Sequence, residues 1–328
     1  MMADELKQVD DVRIQLRNLR QQVQAGAVFQ SLNTKIGAVL DNLPSNDETP
    51  VSLPDDGDGI KDLLKLLNQQ IRATTLDKIT DDQLMQLLNH LGSPDVDVRD
   101  RGIYFFFNDA LQQHVLSDSQ LRLAVNTLLQ DRVLFNHITE PENTAIFGRS
   151  FAVMILSLLA YADRVDAHFL DAETTMRLVD QLATYIALEN DTRGFVGTSG
   201  WAHAYTHIGN LLDELAESQV LTRADKVFLM IEILEKYRRL GTPLIFGESR
   251  RLAAYLATVV NLNDLYEQAF LQEWRQWRVR LSNTPQPEDE AGWTRLFNRS
   301  RLLSAMILRE DYPEEVSNAI NAEVDFLS

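Results

Sequence analysis

Apolar residues recur at spacings of three and four along most of the chain, which predicts helix almost throughout. The first stripe is Leu6, Val9, Val12, Leu16, Leu19 and Val23, in a helical segment over residues 4–40. Gly26 breaks that segment, and a short second helix ends near Leu43. This gives an N-terminal helical segment over residues 1–43. Residues 44–58 carry Pro44, Pro50, Pro54, Gly57 and five acids, the composition of a flexible acidic linker. From Gly59 onward, over residues 59–328, helices come in pairs. First helices are expected to open near 59, 98, 146, 200, 247 and 292, and second helices near 80, 117, 171, 222, 263 and 311. Thr80-x-x-Gln83 and Ser117-x-x-Gln120 are capping boxes. Asp171, Thr222, Asn263 and Asp311 are further N-cap candidates, and Pro313 is expected just inside the last helix, where a missing N–H costs nothing. Residues 285–292 read as a second polar loop. No segment alternates with period two for long enough to predict a sheet.

A signature repeats with a period of roughly fifty residues. It stands as Phe147-Gly148-Arg149-Ser150, Phe246-Gly247-Glu248-Ser249 and Phe297-Asn298-Arg299-Ser300, with weaker copies at Asp100-Arg101-Gly102 and Ser199-Gly200-Trp201-Ala202. Gly102, Gly148, Gly200, Gly247 and Asn298 are then separated by 46, 52, 47 and 51 residues. Helix pairs repeated at this length predict an all-α chain built as an α-solenoid, an α-α superhelix of about six repeats. A Gly or Asn at each opening allows close backbone approach or an unusual φ. The Arg or Glu after it can bridge to the next repeat.

Composition narrows the function classes. The chain has 328 residues and a net charge of −17. That field repels phosphate backbones and anionic membrane surfaces, so neither nucleic acid nor a membrane is an expected partner. Cysteine is absent, which removes disulfides, thiol nucleophiles and thiolate metal sites and fits a reducing compartment. Residues 1–11 are acidic and polar, unlike a secretory signal. The longest apolar run, residues 151–162 with only Ser157 interrupting, is short for a bilayer and reads as a buried helix. A cytoplasmic protein is expected.

One stretch breaks the pattern. On a helical wheel through residues 203–215, Ala204, Ile208, Leu211, Leu212 and Leu215 form the core stripe. His203, His207, Asn210 and Glu214 form a polar stripe beside it. In the preceding repeat the aligned positions are Phe151, Ile155, Leu158 and Ala162. Four readings are open. His203 and His207 at i,i+4 could hold a divalent metal with Glu214, Asp191 or Glu189, although no glutamate follows His203 as zinc proteases require. Gly197-Thr198-Ser199-Gly200 could cradle an anion with Arg149 or Arg193 nearby. Either histidine could be a general base oriented by Asp213 or Glu214. The plain alternative is a polar network satisfied between two repeats. No cofactor is otherwise implied.

Residues 236–310 hold twelve Lys/Arg against eight Asp/Glu, leaving −21 on the rest of the chain. Within them Trp274-Arg275-Gln276-Trp277-Arg278-Val279-Arg280 interleaves aromatic and basic side chains. That pattern suits base stacking or an acidic partner, an amphipathic solvated face, or docking of the acidic N-terminal segment or a second copy.

The stretch Asp191-x-Arg193-Gly194-Phe195, then Gly200-Trp201-Ala202-His203, His207 and Leu211-Leu212-Asp213-Glu214-Leu215, with Phe147-Gly148-Arg149-Ser150-Phe151 upstream, resembles an uncharacterised bacterial domain family found mainly in Gram-positive bacteria. The resemblance covers roughly residues 80–310. It implies HEAT-like helix pairs and a cytoplasmic bacterial protein, and brings no activity with it. The architecture is also similar to that of HEAT-like alkylpurine DNA glycosylases. Those need a basic groove, from which this acidic chain departs.

Two functions therefore stand. The first is an interaction scaffold whose groove holds a protein or peptide. The second is an enzyme or small-ligand binder with its site around His203, His207, Asn210, Glu214, Trp201, Arg149, Arg193 and Asp191.

Overall fold

A computed structural model describes residues 2–283 and 285–327; Met1 and Ser328, the outer limits of the two expected segments, lie outside them. Among the described residues the regular structure is helical, with one isolated antiparallel bridge between Phe195 and Trp201. The N-terminal segment forms α1 (Met2–Gln24) and α2 (Leu32–Leu40). First helices of the pairs are α3 (Ile60–Arg72), the helical stretch running from α5 (Val96–Val98) through a π-helical turn into α6 (Phe105–Gln112), α9 (Ile146–Ala162), α11 (Ala204–Glu217), α13 (Glu248–Val260) and α15 (Glu290–Ile307). Second helices are α4 (Asp81–Asn89), α7 (Asp118–Leu128), α10 (Ala172–Leu188), α12 (Arg223–Arg239), α14 (Asp264–Ser282) and α16 (Glu314–Leu327). A short α8 (Asp131–Leu134) precedes α9.

The caps explain most starts. Thr80 and Ser117 close capping boxes with Gln83 and Gln120, and Thr222 closes one with Asp225. Asp171 and Asn263 cap α10 and α14 as expected. The last helix differs. It opens at Glu314, with the Pro313 carbonyl accepting the Ser317 N–H at 2.9 Å, so proline precedes the helix. Asp311 is instead held in an ion pair by Arg309.

The first helices α9, α11, α13 and α15 pack side by side in chain order. On the other side α12 contacts both α10 and α14. The N-terminal helices lie across this second row: α1 on α10 and α12, α2 on α12, all within one continuous apolar core. Arg20 fixes α1. It is buried and donates to Asp225 of α12 and Asp180 of α10, both at 2.8 Å.

Residues 44–58 form no helix, yet they do not hang free. The Asn46 N–H donates to the Thr139 carbonyl at 2.8 Å, Thr49 binds Glu140, and Asp56 accepts from Ser93 at 2.6 Å. These contacts hold in place a segment that composition alone reads as flexible.

The stretch Ile146–Ala167 is apolar and long enough to cross a membrane, but 67% of its most apolar window is buried against the rest of the fold. Core packing accounts for its apolarity. In the basic segment, Trp274 and Trp277 are buried, with Arg299 over both rings at 5.7 Å. These indoles are core residues and offer no face for stacking bases.

Candidate functional site

The site is built on the loop after α10. Residues 193–203 fold back on themselves through three backbone hydrogen bonds. These are Val196 N–H to Gly200 O (2.7 Å), Ala202 N–H to Gly194 O (2.8 Å) and His203 N–H to Arg193 O (3.1 Å). Gly197–Ser199 makes a 3₁₀ turn at the tip. Gly200 sits at φ +73° and ψ −144°, a conformation that side chains with a Cβ strongly disfavour. The fold-back carries Phe195 and Trp201 outward, where they meet each other at 4.9 Å and Phe246 meets Trp201 at 5.6 Å, both edge to face. All three rings are exposed, by 52%, 36% and 43% respectively. Gly194 lies under Phe246, where a Cβ would come within 2.2 Å of the ring.

Arg99 clamps this loop to the fold. Its guanidinium is fully buried, 4.3 Å from the Phe147 ring and 4.8 Å from the Phe151 ring. It donates to Ser93 O and Ser199 O at 2.5 Å and to Trp201 O at 3.2 Å. Burial pulls the guanidinium down to about 10. The repeat pattern gave no signal for this residue. Arg149 and Arg299 follow Gly148 and Asn298 directly, whereas Arg99 stands three positions before Gly102.

The expected polar stripe divides. His203 is not on the helix. It caps α11 at φ +52°, and its ring lies 4.1 Å from Trp201 and 6.3 Å from His207. His203 Nε2 is buried with no hydrogen-bond partner, and burial lowers the ring's pKa. His207 is buried edge-on to Phe151 at 5.3 Å, with Nδ1 2.9 Å from Ser150 O. A carbonyl only accepts, so Nδ1 carries the proton. Burial, the dominant cause, drives this histidine down to about 3, so it is neutral near pH 7. Asn210 reaches Met154 Sδ at 3.5 Å. Glu214 binds Arg164 at 2.8 and 3.1 Å, and Asp213 pairs with Arg251.

These partners bear on three expectations. Glu214 is committed to Arg164, two helical turns from His207. Among the described residues no group of three His, Cys, Asp or Glu side chains is placed to hold a metal. The anion cradle is also filled from within. Arg149 is buried in a two-pronged pair with Glu189 (3.1 and 3.2 Å) and donates to Asn136 O at 2.7 Å. Arg193 grips Asp191 and Asn143 O. Ser199 N–H is taken by Val196 O. A general base is not assembled either, since His207 Nδ1 meets a carbonyl and Asp213 and Glu214 meet arginines. Arg149–Glu189 and Arg299–Glu323 do form after Gly148 and Asn298, but each joins the two helices of one pair, α9 to the end of α10 and α15 to α16, and does not reach the next repeat.

Beside Phe246 the surface continues into a cavity of about 330 Å³ between α13 and α15, lined by Ile245, Arg250, Phe297, Arg301 and Leu308 among others. Phe297 and Leu308 are 55% and 76% exposed. No curated protein and no solved structure matches this chain. A family model does match residues 134–308, more than half of the chain and the aromatic loop but not Arg99, so the chain belongs to the family described as Protein of unknown function (DUF2785).

Proposed function

We propose that the chain is an α-solenoid of HEAT-like helix pairs that acts as a scaffold for a protein or peptide. The carrying observation is the exposed aromatic ridge of Phe195, Trp201 and Phe246, which a buried arginine and a fold-back loop hold out from the surface. Clustered aromatic side chains at a surface are the usual anchors of protein recognition. Side-by-side packing of successive first helices supports the solenoid reading. The adjoining cavity sets the chemistry of the occupant. Arg250 is exposed and has no partner among the described residues, and apolar Ile245, Phe297 and Leu308 surround it. An apolar segment that also carries a carboxylate fits this lining. The committed polar groups around His207 argue the same way, since they act as glue between repeats.

The test is selection from a peptide library on the purified protein, followed by affinity measurement. Enriched apolar peptides with an acidic residue, weakened at least tenfold by Phe246→Ala and by Arg250→Ala without a change in melting temperature, are expected. Failure to enrich, or binding that ignores both substitutions, refutes the reading. The alternative is a small-ligand or metal site at the start of α11, which the unpartnered His203 Nε2 favours. It requires that a ligand or metal protect that ring, so chelator would lower the melting temperature of the wild type and not of His203→Ala.

A further inference from the structure

A second cavity lies at the C-terminal end of α12. It measures about 530 Å³ and is lined mostly by polar surface. Lys236, Arg238 and Arg239 reach it from the last turn of α12, Arg295 from within α15, Asn190 from the loop after α10, and Asp41 from the end of α2. All four cations, Lys236, Arg238, Arg239 and Arg295, come from the basic segment 236–310 of a chain whose net charge is −17.

Cations in a last turn commonly serve the helix terminus alone. Arg295 does not fit that explanation, because it sits in the interior of its own helix. The local carboxylates are already engaged. Asp41 is bound by Arg239 at 2.7 Å, and Glu235 by Arg238, Arg239 and Arg280. Spare donors remain. Arg295 has no partner among the described residues. Arg238 Nε is buried without one. Lys236 Nζ is buried and donates to Ala187 O (2.6 Å) and Asn190 Oδ1 (2.8 Å), which uses two of its three protons. Arg295 is exposed and free to turn to a ligand, whereas the Arg238 Nε and the third Lys236 proton are costly to bury unless an acceptor arrives. Guanidinium forks with a point-like ammonium match the oxygens of a phosphoryl group, and the volume suits a small molecule.

We propose that this cavity binds a small phosphate-bearing molecule, with Arg295 as its fork, Arg238 Nε as a further donor and Lys236 as the buried cation beneath. Burial holds Lys236 near 7, so a bound anion would also favour its charged form. The probe is pyrophosphate, titrated calorimetrically and in thermal melts at ionic strength matched with sodium chloride. One site is expected, with a raised melting temperature. Arg295→Ala should weaken it at least tenfold while leaving the ligand-free melting temperature unchanged. Arg295→Gln serves as a second variant should alanine disturb α15. Arg250→Ala, on the other cavity, should bind as wild type does. Four outcomes would overturn the proposal: no binding beyond matched chloride, unchanged binding in both Arg295 variants, loss in Arg250→Ala, or binding of citrate but not pyrophosphate.

Discussion

Replacing Gly200 with alanine should destabilise the protein far more than replacing its neighbour Ser199. Two effects add at Gly200. The backbone stands at φ +73° and ψ −144°, and holding a residue with a Cβ there costs about 1–3 kcal/mol. The new Cβ would also lie 2.7 Å from Val96 Cγ2, too close without movement of α5. Overpacking of that kind costs about 1–3 kcal/mol. The loop cannot simply shift away, because Arg99 holds the carbonyls on both sides of Gly200. The sum, about 2–6 kcal/mol, corresponds to a fall in melting temperature on the order of 5 °C or more. The Ser199 side chain makes no hydrogen bond among those described, so Ser199→Ala should stay within about 0.5 kcal/mol of wild type. Thermal melts of the two variants are the assay. Adding Val96→Ala to Gly200→Ala separates the effects, since it relieves the contact and leaves the backbone strain. If Gly200→Ala melts with Ser199→Ala, the reasoning fails.

Two further predictions concern buried charge. His207 sits near 3 in the folded protein against an ordinary value of 6.5, so between those values the unfolded chain binds the proton first. Its contribution is therefore complete above pH 6.5 and is lost as pH falls toward 3, at up to about 1.4 kcal/mol per pH unit. Urea unfolding of wild type and His207→Gln from pH 7 to pH 4 should show the wild type losing stability faster; parallel curves would refute it. Arg20→Met leaves Asp225 without its cation and Asp180 with only Arg17, so about 3–5 kcal/mol should go. Denaturant unfolding at pH 7 checks this, and a loss under about 1 kcal/mol would show that α1 is held by its apolar stripe alone.

How much of this was legible depends on the range of the interaction. Helix starts set by a side chain and an N–H three residues away were readable, as at Thr80, Ser117 and Thr222. The apolar stripe of α1 was readable, because Val9, Val12 and Leu16 are buried at the positions their spacing required. Arg99 was not. Its partners at Ser199 and Trp201 are a hundred residues away, and nothing local marks an arginine for burial against two phenylalanine rings. The basic cavity escaped for the same reason. Arg295 reads as an ordinary exposed helix residue until α12 is placed beside α15.

The repeat signature shows the opposite limit, where the pattern was visible and the physics behind each copy was not uniform. Gly148 lets α9 approach Gly92, since a Cβ there would lie 3.4 Å from the Gly92 Cα. Gly247 caps α13 at φ +103°. Asn298 opens no helix. It is buried in the middle of α15, where its side chain accepts from Leu244 N–H and donates to the Thr242 carbonyl. One aligned position therefore serves close packing, a left-handed turn and loop anchoring in three different copies. His203 follows the same lesson. The wheel treated it as helical, but the chain enters α11 through a left-handed residue. His114, His137 and His168 also adopt positive φ, between 47° and 54°. Left-handed backbone is tolerated better by histidine than by most residues with a side chain. Four of the six histidines thus occupy such positions, three of them outside the loop at Trp201. The backbone requirement alone is enough to explain a histidine at 203, and the function is better sought in what that turn presents to solvent, the rings of Phe195, Trp201 and Phe246.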